Sequence, residues 1–530
     1  IEYQGIKIKF PRAWNRFNTR NVVSGSDVQA MSGVEKSVFF FDQDFMVAEK
    51  ELETGQIINE VERFYEYARD GSTFLIEQDR DIGTYISFEG GGNSATVPTI
   101  TPRGLLTNDK VAGTFTRADT ADSSWFLDPS TGLMTVVPTT ANIPRFEAGK
   151  YGHGIRIDGA AANKIDAPSG DFDAGNWAPT NITVANDTSE TLDPSGANQA
   201  AKLTASAANG NIEYTSATAV GNDVTFACWV KCSSGTVAGT LTIAGTGGGS
   251  DTKAYTATTI WTRVFITSDT SGFTTNLKAS IDIDTNTEII YLWGTALFDS
   301  AKFDLGTVGA LSAAAVTRGA ENLKFSSTDI VNKTKGTVGG WCKPSFALGE
   351  LAADAVLYQC ADGASSEVHS QIQFRSAANE IRVLMRKNND STVAVTLDGT
   401  LTGLLTKDAK HHWGFTYDVT IANGIKVYWD GALLNTSSNS AFNISEIGSF
   451  IGIGEFVDGS ANASWCVNDD IFISKVVKDA TWFNHVFNKG RGYGVKRNRW
   501  TVRLAEKNNS IIQRFGDRTN LVLKMKEVLT

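Results

Sequence analysis

The chain has 530 residues, with 48 Lys+Arg against 58 Asp+Glu and a formal charge of −10. That mild acidity excludes a surface built wholly for duplex DNA, and 41% apolar with 10% aromatic residues excludes general disorder. At roughly 150 residues per domain the length fits about three to four domains, and no apolar run reaches the ~18 residues that would span a bilayer.

The first residues, Ile1-Glu2-Tyr3-Gln4-Gly5, have neither a charged n-region nor an apolar h-region, so no secretory leader is expected there. In the first block, residues 6–10 alternate like a half-buried strand and residues 38–41 make a second strand. The period then changes. Ile57, Ile58, Val61, Phe64, Tyr65 and Ala68 recur at three and four, which predicts an amphipathic helix over 56–69, closed by Asp70-Gly71. Strands are expected again at 73–76 and 85–88, ending at the triple glycine 90–92.

The last block predicts three strands, at 500–504, 510–514 and 521–525. So short a segment cannot bury a core alone. The economical expectation is one split domain, 1–95 together with 495–530, with the remainder inserted as a loop. Between the ends lie a connector at 96–165, an all-β unit at 166–305 and a second all-β unit at 306–490. Strands there alternate in hydrophobicity between Gly, Asn, Asp and Ser turns, as β-sandwiches do. The expected fold class is mainly β: a split sandwich with one helix, plus two inserted jelly-roll sandwiches. Cys228, Cys232, Cys342, Cys360 and Cys466 are an odd, sparse set, expected as reduced buried thiols.

Several segments resemble known families. Phe10-Pro11-Arg12-Ala13-Trp14 and the stretch from Glu62 to Phe74 resemble tail tube and distal tail proteins of long-tailed bacteriophages. Gly113-Thr114-Phe115-Thr116-Arg117, Asp128-Pro129-Ser130-Thr131-Gly132 and Asn142-Ile143-Pro144-Arg145-Phe146 resemble an adaptor segment of phage fibres, and Gly154-Ile155-Arg156-Ile157-Asp158-Gly159 is similar to its closing strand. Trp177, the Trp229 strand, Trp261 and Leu292-Trp293-Gly294 resemble jelly-roll carbohydrate-binding modules. Gly339-Gly340-Trp341, His411-His412-Trp413-Gly414, Tyr428-Trp429-Asp430-Gly431 and Asn468-Asp469-Asp470 resemble the laminin-G/concanavalin-A-like lectin fold, with Lys410 where that family usually carries Trp.

The resemblance implies a ring homo-oligomer in a virion, a hexamer or a trimer, assembled in the host cytoplasm beside other tail proteins. It implies modules that adhere to host cell-surface polysaccharide, with no membrane insertion and no nucleic-acid partner. Two other readings stand beside it: a purely architectural capsid or tail decoration, and a polysaccharide depolymerase.

No catalytic set converges in the sequence. There is no nucleophile elbow, phosphate loop or zinc helix, and the concanavalin-like unit lacks the alternating acids of its glycosidases. An enzyme is therefore not expected, and no cofactor is required. His411 and His412 sit on alternate strand faces and are expected to be structural. Asp282, Asp284, Asn286 and Glu288 share one face if 280–288 is extended, which would offer hard oxygens to Ca²⁺. Asp458, Asn468 and Asp469 form a second Ca²⁺ candidate. Trp177, Trp229, Trp261, Trp293, Trp341 and Trp429 are expected in cores, leaving Trp125, Tyr255, Trp413 and Trp465 as candidate surface aromatics for sugar stacking. Eleven bases against two acids between Lys489 and Lys526 make a basic strip, with Arg497, Arg499, Arg503, Arg514 and Arg518 as an assembly interface.

Overall fold

The computed structural model describes most of residues 114–489 and, outside that span, only strand backbone at 2–3, 6–7, 37–42, 45–51, 57–60, 78–79, 83–86, 501–505 and 510–514. Among the described residues the protein is mainly β, in antiparallel sheets. Alternating side chains explain the layering. In Glu380–Arg386 the apolar Ile381, Val383 and Met385 are buried, while their neighbours are half-buried.

The larger sandwich packs a nine-stranded sheet against a seven-stranded one. The first runs Arg145–Ala148, His153–Ile157, Cys466–Ser474, Lys335–Pro344, His411–Asp418, Ile425–Trp429 and Ala432–Thr436, with Gly83–Ile86 paired to Cys466–Ser474. The second runs Val393–Thr400, Glu380–Arg386, Val368–Arg375, Ala355–Ala361, Phe450–Ile453, Glu321–Ser326 and Thr114–Arg117. Leu323, Ile372, Trp413, Phe415, Ile451 and Ile471 lie in the continuous core they share. The smaller jelly roll packs a seven-stranded sheet centred on Ile289–Phe298 against a five-stranded one containing Thr236–Thr246 and Thr275–Ile283.

The order of the modules differs from the expectation. The connector is not a separate adaptor: Thr114–Arg117 is an edge strand of the larger sandwich, paired to Glu321–Ser326, and His153–Ile157 pairs with Cys466–Ser474. The jelly roll is therefore inserted into the larger sandwich, leaving it after Asp158 and returning at Glu321. Ala161–Asn163 and Val316–Arg318 pair antiparallel as a two-stranded neck. Insertion of this kind needs its two ends close together, and here they are hydrogen-bonded neighbours. Asn163 closes the neck: its amide nitrogen donates to the Thr295 and Val308 carbonyls at 3.0 and 2.9 Å, and its oxygen accepts from the Ile165 and Leu297 amides.

The helix expected over 56–69 is contradicted at its start, where Ile57–Glu60 is a strand paired to Phe45–Glu51. Spacing alone did not decide between a helix and β-branched residues completing a sheet. The helix among the described residues is Ala480–Lys489. Asp479 caps it by accepting from the Trp482 amide at 2.8 Å. Its Trp482, Phe483 and Val486 cover the outer face of the nine-stranded sheet, with the Phe483 ring stacked on Tyr428 at 3.9 Å. Gly414 permits this approach, because a Cβ there would overlap the Phe483 ring. The terminal strands appear as Ser37–Asp42 with Phe45–Glu51, and Thr501–Ala505 with Ser510–Arg514. Joining of 1–95 to 495–530 in one domain lies outside the described residues.

Candidate functional site

A buried ionic cluster cinches the neck of the insertion. Arg145 donates from Nε to Glu321 Oε1 at 2.8 Å and from Nη2 to both Glu321 Oε2 and Asp158 Oδ2, at 2.5 and 2.8 Å. Glu321 also accepts from the Asp158 amide at 2.9 Å, and the Glu321 amide donates to the Asp158 carbonyl at 3.0 Å. Arg156 Nε reaches Asp158 at 2.8 Å and Arg318 Nη2 lies 3.4 Å from it. All of these side chains except Arg156 are within 2% of full burial. Burial would raise the Asp158 carboxyl, but the Arg156, Arg145 and Arg318 charges outweigh it and hold that group well below the usual carboxylate range. Burial lowers the Arg318 guanidinium to about 10, against the pull of Asp158. The cluster is a clamp, with every carboxylate engaged and none free for acid–base work.

The paired histidines are both buried. His411 lies 2.8 Å from Asp430 through Nδ1 and accepts from the Thr406 amide through Nε2 at 3.0 Å. That fixes a hairpin and a loop, in keeping with a structural role. His412 lies beneath the helix, beside Trp341 and Phe483. Burial, with the Lys150 charge beside it, lowers it to about 3. Burial likewise lowers His369 to about 4.

The candidate surface aromatics are corrected by their surroundings. Trp125 is buried edge-on to Trp293 at 5.4 Å, and Trp413 is fully buried between the sheets. Tyr255 is buried with its hydroxyl donating to the Asp282 carbonyl at 2.7 Å. Trp465 is half-buried, edge-on to Phe303 with the Arg318 guanidinium 5.7 Å above its ring. None presents an open indole or phenol face. Trp177, Trp293, Trp341 and Trp429 are buried as expected, while Trp229 and Trp261 pack half-buried against the connector's hairpin of Ser124–Leu127 and Met134–Val137.

The candidate Ca²⁺ face also dissolves. The strand ends at Ile283, and a turn with Thr287 at φ +70° follows, so Asp284, Asn286 and Glu288 do not continue one extended face with Asp282. Asp282 instead accepts from the Thr240 amide at 2.6 Å, and burial, with Asp284 nearby, raises its carboxyl. In the second set Asn468 is fully buried and its amide donates to Ser464 Oγ, Asp469 is buried, and Asp458 lies outside the described residues. Among the described residues no group of three or more His, Cys, Asp or Glu could hold a metal ion. The first candidate set is therefore not gathered on one extended face, and the second is described only in part. Of the basic strip, Arg503 and Arg514 fall on the terminal hairpin, while Arg497, Arg499 and Arg518 lie outside the described residues.

What sequence reasoning missed is a cleft of about 490 Å³ at one rim of the larger sandwich. Ser327, Thr328, Asn332, Lys333, Ser449 and Lys475 supply its polar lining, with Val331 and Ile447 as apolar floor. Among the described residues its lining holds two lysines and no carboxylate. Gly448 is required there, since a Cβ would overlap the Ala361 backbone, and Ser327 ties the two loops by donating to the Gly448 carbonyl. The Tyr417 hydroxyl donates to the Asn332 carbonyl at 2.7 Å and holds the far end of the loop that begins at Ser327. Hydroxyls, an amide and ammonium groups around an apolar floor suit a hydroxylated ligand.

Fold and site together define a mainly-β protein of two antiparallel sandwiches, one inserted in the other, with a polar cleft at the rim of the outer one. No protein-family profile matches the chain, and no curated protein matches it in sequence. Among solved structures it is similar to the receptor-binding domain of botulinum neurotoxin mosaic serotype C/D, at 13% identity and TM-score 0.26 over 32% of this chain and 39% of that one. The binding domain of botulinum neurotoxin DC in complex with SialylT gives 12% identity and TM-score 0.26, over 32% and 40%. The match thus spans well under half of those chains, and an overlap of this size says nothing of what this chain binds.

Proposed function

We propose that the chain is a structural protein of a bacteriophage tail, in a distal-tail or tube ring, that displays its two sandwiches for adhesion to host-surface glycan. The single observation behind adhesion is the rim cleft, whose volume lies within the range of about 300–1,000 Å³ of small-ligand sites and whose lining is hydroxyl, amide and ammonium. The tail assignment rests on the resemblance of the terminal blocks and the connector to phage virion proteins. In this reading the chain is non-catalytic: the carboxylates of the clamp are locked in ion pairs, and the two histidines that burial lowers are shielded from any substrate. It assembles in the host cytoplasm with copies of itself and other tail proteins, through the basic strip. A ring turns millimolar single-site affinity into useful adhesion by avidity alone.

The test pairs two measurements on the full chain. Electron microscopy is expected to show a closed ring, and a polysaccharide array to show retention that Lys333→Ala with Lys475→Ala reduces at least tenfold. A monomeric particle refutes the tail reading; retention unaffected by the lysine variants refutes the cleft.

A further inference from the structure

Five carbonyls of the rim-cleft lining are already engaged within the protein. The Ser327 carbonyl accepts from the Ile330 and Val331 amides at 3.0 and 3.2 Å, and the Ser449 carbonyl from the Ser327 amide at 3.0 Å. The Gly448 carbonyl takes the Ser327 hydroxyl, the Asn332 carbonyl takes the Tyr417 hydroxyl, and the Lys333 carbonyl faces His369 Nε2 at 3.3 Å. The Asn332 side-chain oxygen accepts from the Thr334 and Lys335 amides at 2.9 and 3.3 Å.

What remains to meet a ligand is a set of donors. Among the described residues the exposed Lys333 and Lys475 form no ion pair, and the Asn332 amide nitrogen has no acceptor. The carboxylate behind Ser449, that of Asp362, is outside the lining, and its Oδ1 is occupied by the Ser449 amide and hydroxyl, each at 2.5 Å. Glu446, next to Ile447, is exposed and also outside the lining. A neutral sugar presents hydroxyls that both donate and accept, and a site that holds it offers both. Leftover ammonium and amide N–H groups are matched instead by a ligand made of acceptors, and charge makes such hydrogen bonds roughly twice as strong.

We propose that the rim cleft binds an acidic stretch of glycan, whose oxyanion is taken by Lys333 and Lys475 with the Asn332 amide as a further donor. This rests on the reading of that cleft as the glycan site and names the class of sugar it selects; it does not depend on the tail reading. Ammonium groups are compact point charges, so they satisfy carboxylate and sulfate alike, where an Arg fork would favour planar carboxylate. The volume of about 490 Å³ is about three times the ~150 Å³ cavity that holds one benzene, which leaves room for more than one sugar ring. The chain's formal charge of −10 repels a polyanion at long range, so binding of one has to come from a local site.

The experiment titrates the full chain with oligogalacturonate, sulfated dextran and plain dextran of matched length, by calorimetry at about 0.05 and about 0.5 M salt. At least one acidic chain is expected to bind tenfold or more above plain dextran and to weaken several-fold at the higher salt; the tighter of the two identifies the oxyanion. Lys333→Gln and Lys475→Gln keep a donor and lose the charge. Each is expected to lower acidic-chain affinity several-fold, and the pair at least tenfold, in protein whose circular dichroism matches the parent. Lys278→Ala, on the jelly roll, is the control and is expected to bind unchanged. Plain dextran bound as tightly as the acidic chains, with all three weakened by the lysine variants, overturns the selection for charge and leaves the cleft a glycan site. Acidic-chain binding that neither Gln variant lowers, or that Lys278→Ala lowers equally, overturns the proposal and the cleft reading together.

Discussion

Glu321→Gln probes whether the ionic clamp holds the insertion in place. The substitution keeps size and one acceptor oxygen but removes the charge that faces Arg145 at 2.5 and 2.8 Å, in a site with no solvent exposure at Glu321. Removing one partner of a buried ion pair costs about 3–5 kcal/mol, because the other charge stays buried without compensation. Asp158 remains as a partial partner of Arg145 at 2.8 Å, which puts the expectation at the lower end. At about 2–4 °C per kcal/mol for large domains, roughly 3 kcal/mol lowers the melting temperature by about 6–12 °C. Differential scanning calorimetry measures this, with limited proteolysis alongside. Because Glu321 also accepts from the Asp158 amide, the variant should open at the neck and release the jelly roll as a protected fragment. The control is Lys278→Ala, whose pair with Glu213 is 45% and 31% exposed and is worth at most about 1 kcal/mol. A Glu321→Gln melting point within 2 °C of the parent, with no new cleavage at the neck, would refute the clamp.

Acid should destabilise the larger sandwich well above the carboxylate range. His412 and His369 are held neutral at about 3 and about 4 in the fold, against about 6.5 unfolded. The unfolded state therefore binds more protons below pH 6.5, and stability falls from there down to the folded values, by about 1.4 kcal/mol per pH unit for each histidine. Urea unfolding between pH 7 and 4.5 checks this: His412→Phe should roughly halve the slope, and a flat profile to pH 5 would contradict it. Gly414→Ala places a methyl in the Phe483 ring and should cost about 1–3 kcal/mol by overpacking; pairing it with Phe483→Leu should recover part of that loss in the same denaturation assay. All five cysteines are buried and unpaired, with burial pushing Cys228 and Cys360 up to about 12. A thiol reagent such as DTNB should therefore label none of them in native protein and all five in urea; rapid native labelling would contradict their burial.

What the sequence determined by itself was the local structure. Strand composition between turn residues announced the strands around Trp229 and Trp293, found as Val224–Cys232 and Ile289–Phe298, because a strand's apolar and β-branched residues are written into its own segment. The sparse, odd cysteines announced buried thiols, and four of the six tryptophans assigned to cores are fully packed. The helix Ala480–Lys489 was missed, since 306–490 was expected to be all β, although Asp479 followed by Trp482, Phe483, Val486 and Phe487 offers a cap and an apolar stripe.

The tertiary structure alone decided the rest. Arg145, Arg156 and Asp158 stood in the sequence as parts of an adaptor pattern, but Glu321, the partner that makes them a buried clamp, lies 176 residues beyond Arg145. Strand parity did not place every aromatic, because bulges between Ala227 and Trp229 and between Gly339 and Trp341 shift the register on which inside and outside depend. The rim cleft is assembled from loops near 330, 448 and 475, none of which carries a motif. Alternation is a property of one strand, whereas pairing, burial of charge and cavities belong to segments brought together from far apart, and only the folded chain specifies which segments meet.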